Sequence, residues 1–247
     1  MVTDQADALA VEGLDNLRDL GGLPLVGGGT TRYGRLLRSD SPHRLSDAGR
    51  RTLVAQGIST VVDLRTLSER DSHPSLLVDV EGIRGHHAPI FDDEDVFPEN
   101  AVTAQDVYRW WLRERGTGIA AALTGIADSP SAPILVHCHA GKDRTGVVIA
   151  LVLVLAGVPV DSIADDYALS GVQLAEVLAR DRVSAVERGM DDVRAERLFT
   201  VRRDAMVDTV ESIESEHGGP TQFLRRVGLE DQRIDRLRRL LVAAEWP

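Results

Sequence analysis

A strand, a tight loop and a helix follow one another directly in the middle of this sequence, and this succession constrains the fold more than any other feature. Residues Ile134–Val136 form a short β-branched, apolar run of the kind found in buried strands. Residues Val147–Ala156 are apolar enough and long enough for a buried helix, and Gly157 and Pro159 follow as stop signals. The residues between the two runs must therefore form a loop that leads into the start of a buried helix.

The loop carries a thiol and a guanidinium group, on Cys138 and Arg144, separated by five residues. A loop wrapped over a helix N-terminus points several backbone N–H groups into one small space, and the helix dipole favours an anion there. Arginine adds a planar, bidentate fork that suits a phosphate, and the same positive field favours a cysteine thiolate. This combination predicts phosphoryl transfer through a phosphocysteine. The alternative is a buried structural cysteine beside an unrelated arginine.

The use of cysteine and lysine supports a functional loop. The sequence contains one cysteine, Cys138, and one lysine, Lys142, while every other cationic side chain is arginine or histidine. A GC-rich genome would explain why lysine is scarce. It would not explain why both residues lie in the same loop.

Composition excludes several classes of protein. A single cysteine leaves no internal disulfide and no cysteine-rich metal site, and it fits a reducing compartment. The net charge of −11 argues against a general affinity for nucleic acid or anionic membranes. Residues 1–12 lack the basic and apolar blocks of a signal peptide, and the run 147–160 is too short to span a bilayer. We expect a cytoplasmic protein without integral membrane association, metal or cofactor, with leaderless secretion as the alternative; the sequence does not indicate an oligomeric state.

The loop and several other strings resemble a known group of enzymes. The pattern His-Cys-x5-Arg-Thr-Gly from position 137 resembles the signature loop of the cysteine-dependent protein tyrosine phosphatase superfamily. The filled loop, HCHAGKDRTG, is similar to the atypical bacterial branch that includes mycobacterial PtpB and Listeria LipA, because a Lys-Asp pair precedes the arginine. Residues 14–22, 36–40, 61–70 and a DDYxLS segment within 161–170 also resemble this branch. The resemblance covers most of the chain and implies a phosphatase.

The pattern of elements predicts an α/β fold that is tyrosine-phosphatase-like, with a small, mainly parallel sheet between helices. We expect one domain over residues 1–247, with residues 1–13 as a mobile tail. Residues 171–200 are rich in helix formers, and by the resemblance they form a helical lid over the site; the alternative is that they only cover the domain surface. The expected strands and helices, besides those around the loop, are strands at Tyr33–Ser39, Ile58–Leu64 and Ile83–Ile90, and helices from Ser46 to Gly57, Gln105 to Arg115, Ile119 to Ala127, Arg202 to His217 and Gln232 to Ala244.

The resemblance also implies roles for the loop residues. Cys138 attacks phosphorus, while Arg144 and the loop amides hold the equatorial oxygens and stabilise their charge in the transition state. Thr145 is expected to place its hydroxyl near the sulfur, and His137 is expected to orient the loop or to tune the thiolate. The residues expected to bind phosphate are His139, Ala140, Gly141, Lys142, Asp143 and Arg144.

The residue that protonates the leaving group has two candidate locations. Asp143 lies inside the loop directly before Arg144, so its carboxyl could reach the bound ester without any loop closure. The alternative role for Asp143 is to brace the loop. Tyrosine phosphatases take the acid from a separate upstream loop, and the corresponding loop here offers Asp92, Asp93 and Asp95, with Asp93 and Asp95 as the alternative acids.

Charged residues near other strands have two candidate roles each, contact with a ligand or support of the structure. Asp63 and Arg65 follow a predicted strand, where open α/β sheets place groups that face a ligand. Their alternative role is to buttress the phosphate loop. Near the N-terminus, structural salt bridges are favoured over substrate contact for Arg18, Asp19, Arg38 and Asp40.

The predicted activity is hydrolysis of phosphomonoesters on phosphorylated proteins or phosphoinositides. Phosphotyrosine is the expected substrate, with extension to phosphoserine, phosphothreonine and phosphoinositides, because Lys142 and His139 add positive character to the pocket wall. One rival is a phosphate-binding pseudophosphatase, against which the intact Cys138, Asp143 and Arg144 argue. The other rival is a rhodanese-like sulfurtransferase, whose cysteine loop lacks the Cys-x5-Arg-Thr-Gly pattern.

Overall fold

The computed structural model describes residues 11–95, 98, 101–130 and 133–242, and in it the predicted loop follows the central strand of a sheet. Within this part of the chain the strands are β1 (Arg18–Asp19), β2 (Leu36–Ser39), β3 (Thr60–Asp63), β4 (Arg84–His87) and β5 (Ile134–His137). Their order across the sheet is β1-β2-β5-β3-β4. Only the β1–β2 pair is antiparallel among these strands. The predicted small, mainly parallel sheet is therefore confirmed.

Helices pack around the sheet, and seven of them follow the last strand in the described part of the chain. The α-helices of the described residues are α1 (Asp47–Ala55), α2 (Leu67–Ser72), α3 (Ala104–Glu114), α4 (Gly116–Ala127), α5 (Asp143–Ala156), α6 (Val160–Gln173), α7 (Ala175–Glu187), α8 (Asp192–Phe199), α9 (Arg203–His217), α10 (Pro220–Arg226) and α11 (Asp231–Leu240). The sheet with these helices confirms the α/β, tyrosine-phosphatase-like fold class. No helix of the residues described is long and apolar enough to cross a membrane.

The central strand β5 separates two hydrophobic cores. Ile134 and Val136 face the larger core, whereas Leu135 faces the smaller one together with Leu37 and Leu53. This alternation follows from the two-residue repeat of a strand. Helix α5 lies in the larger core and is buried on nearly all sides, which explains why its sequence has no polar stripe.

The strand register brings three strand ends together at one edge of the sheet. Ser39 and Asp63 are both paired with His137, the last residue of β5. Helix α5 begins at Asp143, four residues before the predicted start at Val147, because the end of the loop already winds as helix. It ends at Ala156, before Gly157 with φ 85°, at the predicted stop.

Several other predicted boundaries hold, whereas the strands expected at 33–39, 58–64 and 83–90 are all shorter in the structure. Ser46 caps α1 by accepting a hydrogen bond from the Gly49 N–H, and α1 ends before Gly57 as predicted. The strand expected from Tyr33 begins at Leu36, because the chain turns at Gly34 with φ 66°.

The two ends of the chain fall partly outside the described residues. Of the expected tail, residues 1–10 lie outside them, and Val11 is buried in the smaller core. The last expected helix runs from Asp231 to Leu240, and residues 243–247 again lie outside the described part. Residues 171–200 contain α7 and α8, so the expectation of helices there is met.

Candidate active site

Groups from distant segments hold the carbonyl groups of the 138–144 loop on its outer side. The three bonds run from the Ser41 N–H to the His139 oxygen (2.8 Å), from Asn16 Nδ2 to the Ala140 oxygen (2.9 Å) and from Arg38 Nη2 to the Gly141 oxygen (2.8 Å). Because each peptide group is planar and trans, the N–H that shares a plane with each carbonyl points to the opposite side. These N–H groups therefore point away from the donors that hold the carbonyls, an arrangement in which they are available to bind an anion.

Gly141 is required by the close approach of the loop to β2. Its φ of 66° lies in the left-handed region, and a Cβ there would stand 2.1 Å from the Ser39 carbonyl oxygen. Any other residue would therefore push the loop away from the strand end that anchors it.

A buried carboxylate holds the arginine that anchors the loop. Asp166 accepts from Arg38 Nη1 at 2.6 Å and from Arg18 Nε at 2.7 Å. Burial alone would raise the pKa of Asp166, but the two arginines outweigh it and hold the pKa below its usual value. The structural salt bridges expected for Arg18 and Arg38 are present, with Asp166 as their shared partner.

The carboxylates of Asp19 and Asp40, near the N-terminus, accept hydrogen bonds from backbone N–H groups. Asp19 accepts from the N–H groups of Gly21 and Gly34, each at 2.7 Å. Asp40 accepts from the N–H groups of Asp15 and Asn16, each at 3.0 Å, and burial raises the pKa of Asp40 to about 6. Asp40 also has the Arg44 guanidinium at 3.4 Å, whereas Asp19 forms no salt bridge among the described residues.

The nucleophile candidate and the arginine line one cavity of about 450 Å³. Cys138 is 3% exposed and Arg144 is 9% exposed. Glu69 accepts two hydrogen bonds from the end of the Arg144 guanidinium, with Nη1–Oε2 at 2.5 Å and Nη2–Oε1 at 2.7 Å. This pairing leaves the Nε–Nη2 edge of the guanidinium for a bidentate phosphate. Burial would lower the pKa of Arg144, but Glu69, Cys138 and Asp143 outweigh it, so the group stays charged.

Glu69 is one of the site residues that sequence reasoning missed. It is the third residue of α2 and forms a capping box with Thr66, whose N–H donates to Glu69 Oε2 at 2.9 Å. That local pattern is visible in the sequence and fully explains a glutamate at this position. The contact with Arg144 spans 75 residues, so no local signal indicates it. Burial would raise the pKa of Glu69, yet its bond to Arg144 holds the pKa below the usual value.

Asp143 lies in the same cavity, and a phenol holds it. The Tyr108 hydroxyl donates a short hydrogen bond to Asp143 Oδ1, and the Lys142 ammonium nitrogen lies 3.4 Å from the same oxygen. The Asp143 side chain remains 34% exposed. Its carboxyl is therefore fixed by one oxygen and accessible to a ligand above the loop.

The upstream aspartates are placed differently. Asp93 accepts from the Ser68 N–H at 3.0 Å and from the Ser68 hydroxyl at 2.5 Å. Asp95 forms an ion pair with Arg115 and also accepts from the Asp92 N–H at 2.8 Å. None of the three acidic side chains at 92, 93 and 95 lines the cavity that holds Cys138.

The strand-end pair Asp63 and Arg65 lies outside the residues that line the cavity. Arg65 is fully buried, and it donates to Asp63 through Nε at 2.9 Å and Nη2 at 2.8 Å. Its Nη1 donates to the His73 carbonyl at 2.7 Å. Neither residue lines the 450 Å³ cavity, and the support of the loop by this pair stays a prediction.

His137 and Thr145 flank the nucleophile and are both fully buried. His137 Nδ1 lies 3.0 Å from the Cys138 carbonyl oxygen, which fixes the loop where it leaves β5. Burial lowers the pKa of His137. Because a carbonyl oxygen only accepts, Nδ1 is the donor in this bond. The Thr145 hydroxyl has no hydrogen-bond partner among the described residues, so it makes no bond to the Cys138 sulfur here.

The sequence predicts that His139 and Lys142 add positive charge to the wall of the cavity. Burial lowers the pKa of His139 below its usual value, and the opposing effect of Glu69 is smaller. A positive charge on His139 stays a prediction. Lys142 is 3% exposed, and its ammonium group donates to the Leu198 carbonyl at 3.0 Å, near the end of α8.

The walls of the cavity are mostly apolar. Phe91, Tyr108 and Trp111 form an aromatic side, and the Arg144 guanidinium carbon lies 5.0 Å from the centre of the Phe91 ring. The opposite side comes from the segment expected to be a lid, with Leu178, Asp181, Met190, Arg194, Leu198 and Phe199. A larger cavity of about 550 Å³ near α11 contains none of the loop residues.

Comparison with known proteins agrees with this geometry. A model of the tyrosine phosphatase family matches residues 9–243. A triple specificity protein phosphatase of Mycobacterium tuberculosis, PtpB, is 28% identical over 256 residues, which cover 85% of this chain and 92% of that protein. A tyrosine-protein phosphatase of Nostoc commune is 28% identical over 206 residues, covering 79% of this chain and 70% of that protein.

Proposed function

Because this chain belongs to the tyrosine phosphatase family, we propose that it hydrolyses phosphomonoesters through a phosphocysteine on Cys138. The observation that carries the proposal is the shared cavity of Cys138, Asp143 and Arg144, with the loop carbonyls anchored away from it. A thiol, a proton donor and a guanidinium edge then line one cavity. Each has the chemistry that one part of the reaction needs.

In the first step the Cys138 thiolate attacks phosphorus and the bond to the ester oxygen breaks. The Nε–Nη2 edge of Arg144 and the inward N–H groups stabilise the charge on the equatorial oxygens. Asp143 gives its proton to the departing oxygen, so an alcohol or phenol leaves. In the second step a water attacks the phosphocysteine, the Asp143 carboxylate takes a proton from it, and the thiolate leaves with inorganic phosphate as the product.

Asp143 is the favoured acid because of its position relative to its rivals. It lies in the cavity and keeps one carboxyl oxygen without a hydrogen-bond donor among the residues described. Asp93 and Asp95 are engaged with Ser68 and Arg115 outside that cavity. A carboxylate held by an ion pair away from the ester would have to give up that pair to protonate it.

The proposed substrates are phosphotyrosine and, more widely, phosphoserine, phosphothreonine and phosphoinositides. The aromatic side of the cavity suits a phenyl ester, and the mycobacterial relative is named for three specificities. For a phosphoinositide, Lys142 would supply the extra charge after leaving the Leu198 carbonyl. Lys142→Ala should then reduce phosphoinositide turnover more than phosphotyrosine turnover; equal losses would make Lys142 a general phosphate binder.

Residues 171–200 are proposed to cover the site as a lid. They supply one side of the cavity, and the Lys142 bond to Leu198 ties α8 to the loop. Opening is needed before a phosphoprotein can enter. Hydrogen exchange should therefore be faster in α7 and α8 than in the buried α5, and faster still in Lys142→Met. Equally slow exchange in all three helices would argue against a lid.

The rival functions are separated by one assay. Wild-type protein should release phosphate from p-nitrophenyl phosphate, and both Cys138→Ser and Arg144→Ala should nearly abolish the release, on the order of a thousandfold or more. A chelator should leave turnover unchanged, because both steps use only side chains and water. A pseudophosphatase would bind phosphate without turnover, and a sulfurtransferase would instead move sulfur from thiosulfate to cyanide.

A further inference from the structure

Two buried tyrosines lie behind the proposed acid and form a chain of hydroxyl groups. Tyr108 on α3 donates to Asp143 Oδ1, and the Tyr108 and Tyr167 hydroxyl oxygens are 2.7 Å apart. Each residue is 1% exposed. The three residues come from three different helices, so the fold brings them together at one point beneath the loop.

The direction of this chain follows from counting protons. A phenol has a single O–H donor, and Tyr108 uses it on Asp143. The contact between the two phenols therefore requires Tyr167 to donate to the Tyr108 oxygen. Burial raises the pKa of both phenols above the usual value, so both keep their protons at neutral pH.

The ring of Tyr108 has little freedom to move. It stacks on Trp111 with ring centres 5.5 Å apart, and it meets Tyr167 edge to face at 6.2 Å. A donor on such a ring fixes the carboxyl it contacts. Because Tyr108 and Lys142 both approach Oδ1, the proton of a neutral Asp143 belongs on Oδ2.

We propose that Tyr108, supported by Tyr167, is the positioning residue for the general acid Asp143, holding Oδ1 so that Oδ2 delivers the proton to the leaving oxygen. This inference rests on the proposed function of Asp143. The bond from Tyr108 strengthens as Asp143 loses its proton, since a donor binds a carboxylate more strongly than a carboxylic acid. Tyr108 thus stabilises the transition state through its bond to Asp143.

The test is the dependence of turnover on the leaving group. Tyr108→Phe should lower kcat on the order of tenfold to a hundredfold for phenyl phosphate and phosphotyrosine, whose leaving oxygen needs a proton. It should leave kcat nearly unchanged for an aryl phosphate with a strongly acidic phenol, and it should leave inhibition by inorganic phosphate unchanged. Tyr167→Phe should show the same selectivity with a smaller loss.

The chain offers a matched control, because its third tyrosine, Tyr33, is 46% exposed. Tyr33→Phe should match wild type on every ester. In an Asp143→Asn background, Tyr108→Phe should cause no further leaving-group-selective loss. Equal slowing of all esters by Tyr108→Phe, or a selective loss that persists without the Asp143 carboxyl, would overturn the inference.

Failure of the proposed function and failure of the role of Tyr108 give different experimental results. If Cys138→Ser retained turnover, the phosphocysteine route would be wrong. If Asp143→Asn slowed all esters equally, the assignment of the acid would be wrong, and the role of Tyr108 would fall with it. If Asp143→Asn were selective while Tyr108→Phe and Tyr167→Phe behaved like Tyr33→Phe, the acid would stand and only the tyrosine chain would fail. Circular dichroism confirms folding of each variant, and Tyr167→Phe decides the matter should Tyr108→Phe not fold.

Discussion

Replacing Asp166 with asparagine should damage both stability and catalysis, although Asp166 lies outside the cavity. Its carboxylate joins Arg18 and Arg38, whose side chains are 10% and 1% exposed, and Arg38 in turn holds the Gly141 carbonyl of the loop. Asparagine has nearly the same size but no charge. The substitution therefore leaves two buried guanidinium groups without a counter-charge.

The size of the effect follows from the two bonds. A hydrogen bond to a charged group contributes about 1.5–3 kcal/mol, and breaking a buried ion pair costs about 3–5 kcal/mol. Asparagine keeps one carbonyl oxygen and can retain one of the two bonds in neutral form. We expect a loss of about 3 kcal/mol in the free energy of unfolding, which is about 6–12 °C in Tm for a chain of this length.

The adjacent residue supplies the control. Asp165 is also on α6 and also pairs with an arginine, Arg203 at 2.6 Å, but the two side chains are 66% and 42% exposed. Asp165→Asn should leave Tm and turnover close to wild type, because an exposed pair contributes little.

Thermal unfolding and kcat/KM for p-nitrophenyl phosphate measure both effects. Asp166→Asn should lose about tenfold to a hundredfold in kcat/KM, because the loop shifts without Arg38. An Asp166→Asn protein as stable and as active as Asp165→Asn would refute the reasoning.

Three further predictions test other contacts of the site. Glu69→Gln should lower kcat/KM about tenfold, because Arg144 loses the charged partner that sets its orientation; steady-state kinetics with Arg70→Gln as the control would measure this. Relative to wild type, Asp40→Asn should gain about 3 kcal/mol of stability as pH rises from 4 to 8. The reason is that burial raises the pKa of Asp40 to about 6 in the folded protein. The wild type therefore loses stability as the pH rises through 6 and the buried carboxyl ionises, whereas the asparagine variant does not. Urea unfolding at several pH values measures the difference in stability between the two proteins, and a difference that does not change with pH would contradict the prediction. Peroxide should inactivate the enzyme at Cys138, and recovery should need an added thiol or a cyclic sulfenamide, because the sequence has no second cysteine to form a disulfide; mass spectrometry of the treated protein identifies the product.

The sequence predicts those parts of the site that depend on neighbouring residues. The strand, the loop and the helix around Cys138 follow from the apolar runs and the stop signals, and the cap at Ser46 follows from local capping chemistry. The position of Arg144 relative to Cys138 follows from the loop itself. These features need no knowledge of what packs against the loop.

The groups that support the site lie far away in sequence. Asp166 contacts Arg38 across 128 residues, Glu69 contacts Arg144 across 75, and Tyr108 contacts Asp143 across 35. Each of these residues has an ordinary local explanation as a helix residue. Which of them meet is decided by how the helices pack on the sheet, and that packing depends on the sum of many apolar contacts rather than on a pattern.

Helix α6 supports both halves of the proposed reaction from one turn. Successive residues on a helix point about 100° apart, so Asp166 and Tyr167 face different neighbours. Asp166 reaches the loop through Arg38, and Tyr167 reaches the acid through Tyr108. Ser170 lies one turn after Asp166 on the same face, and its hydroxyl accepts from Arg18 Nη2 at 3.1 Å. We therefore expect a shift of α6 to disturb both the contact of Arg38 with the loop and the contact of Tyr108 with Asp143.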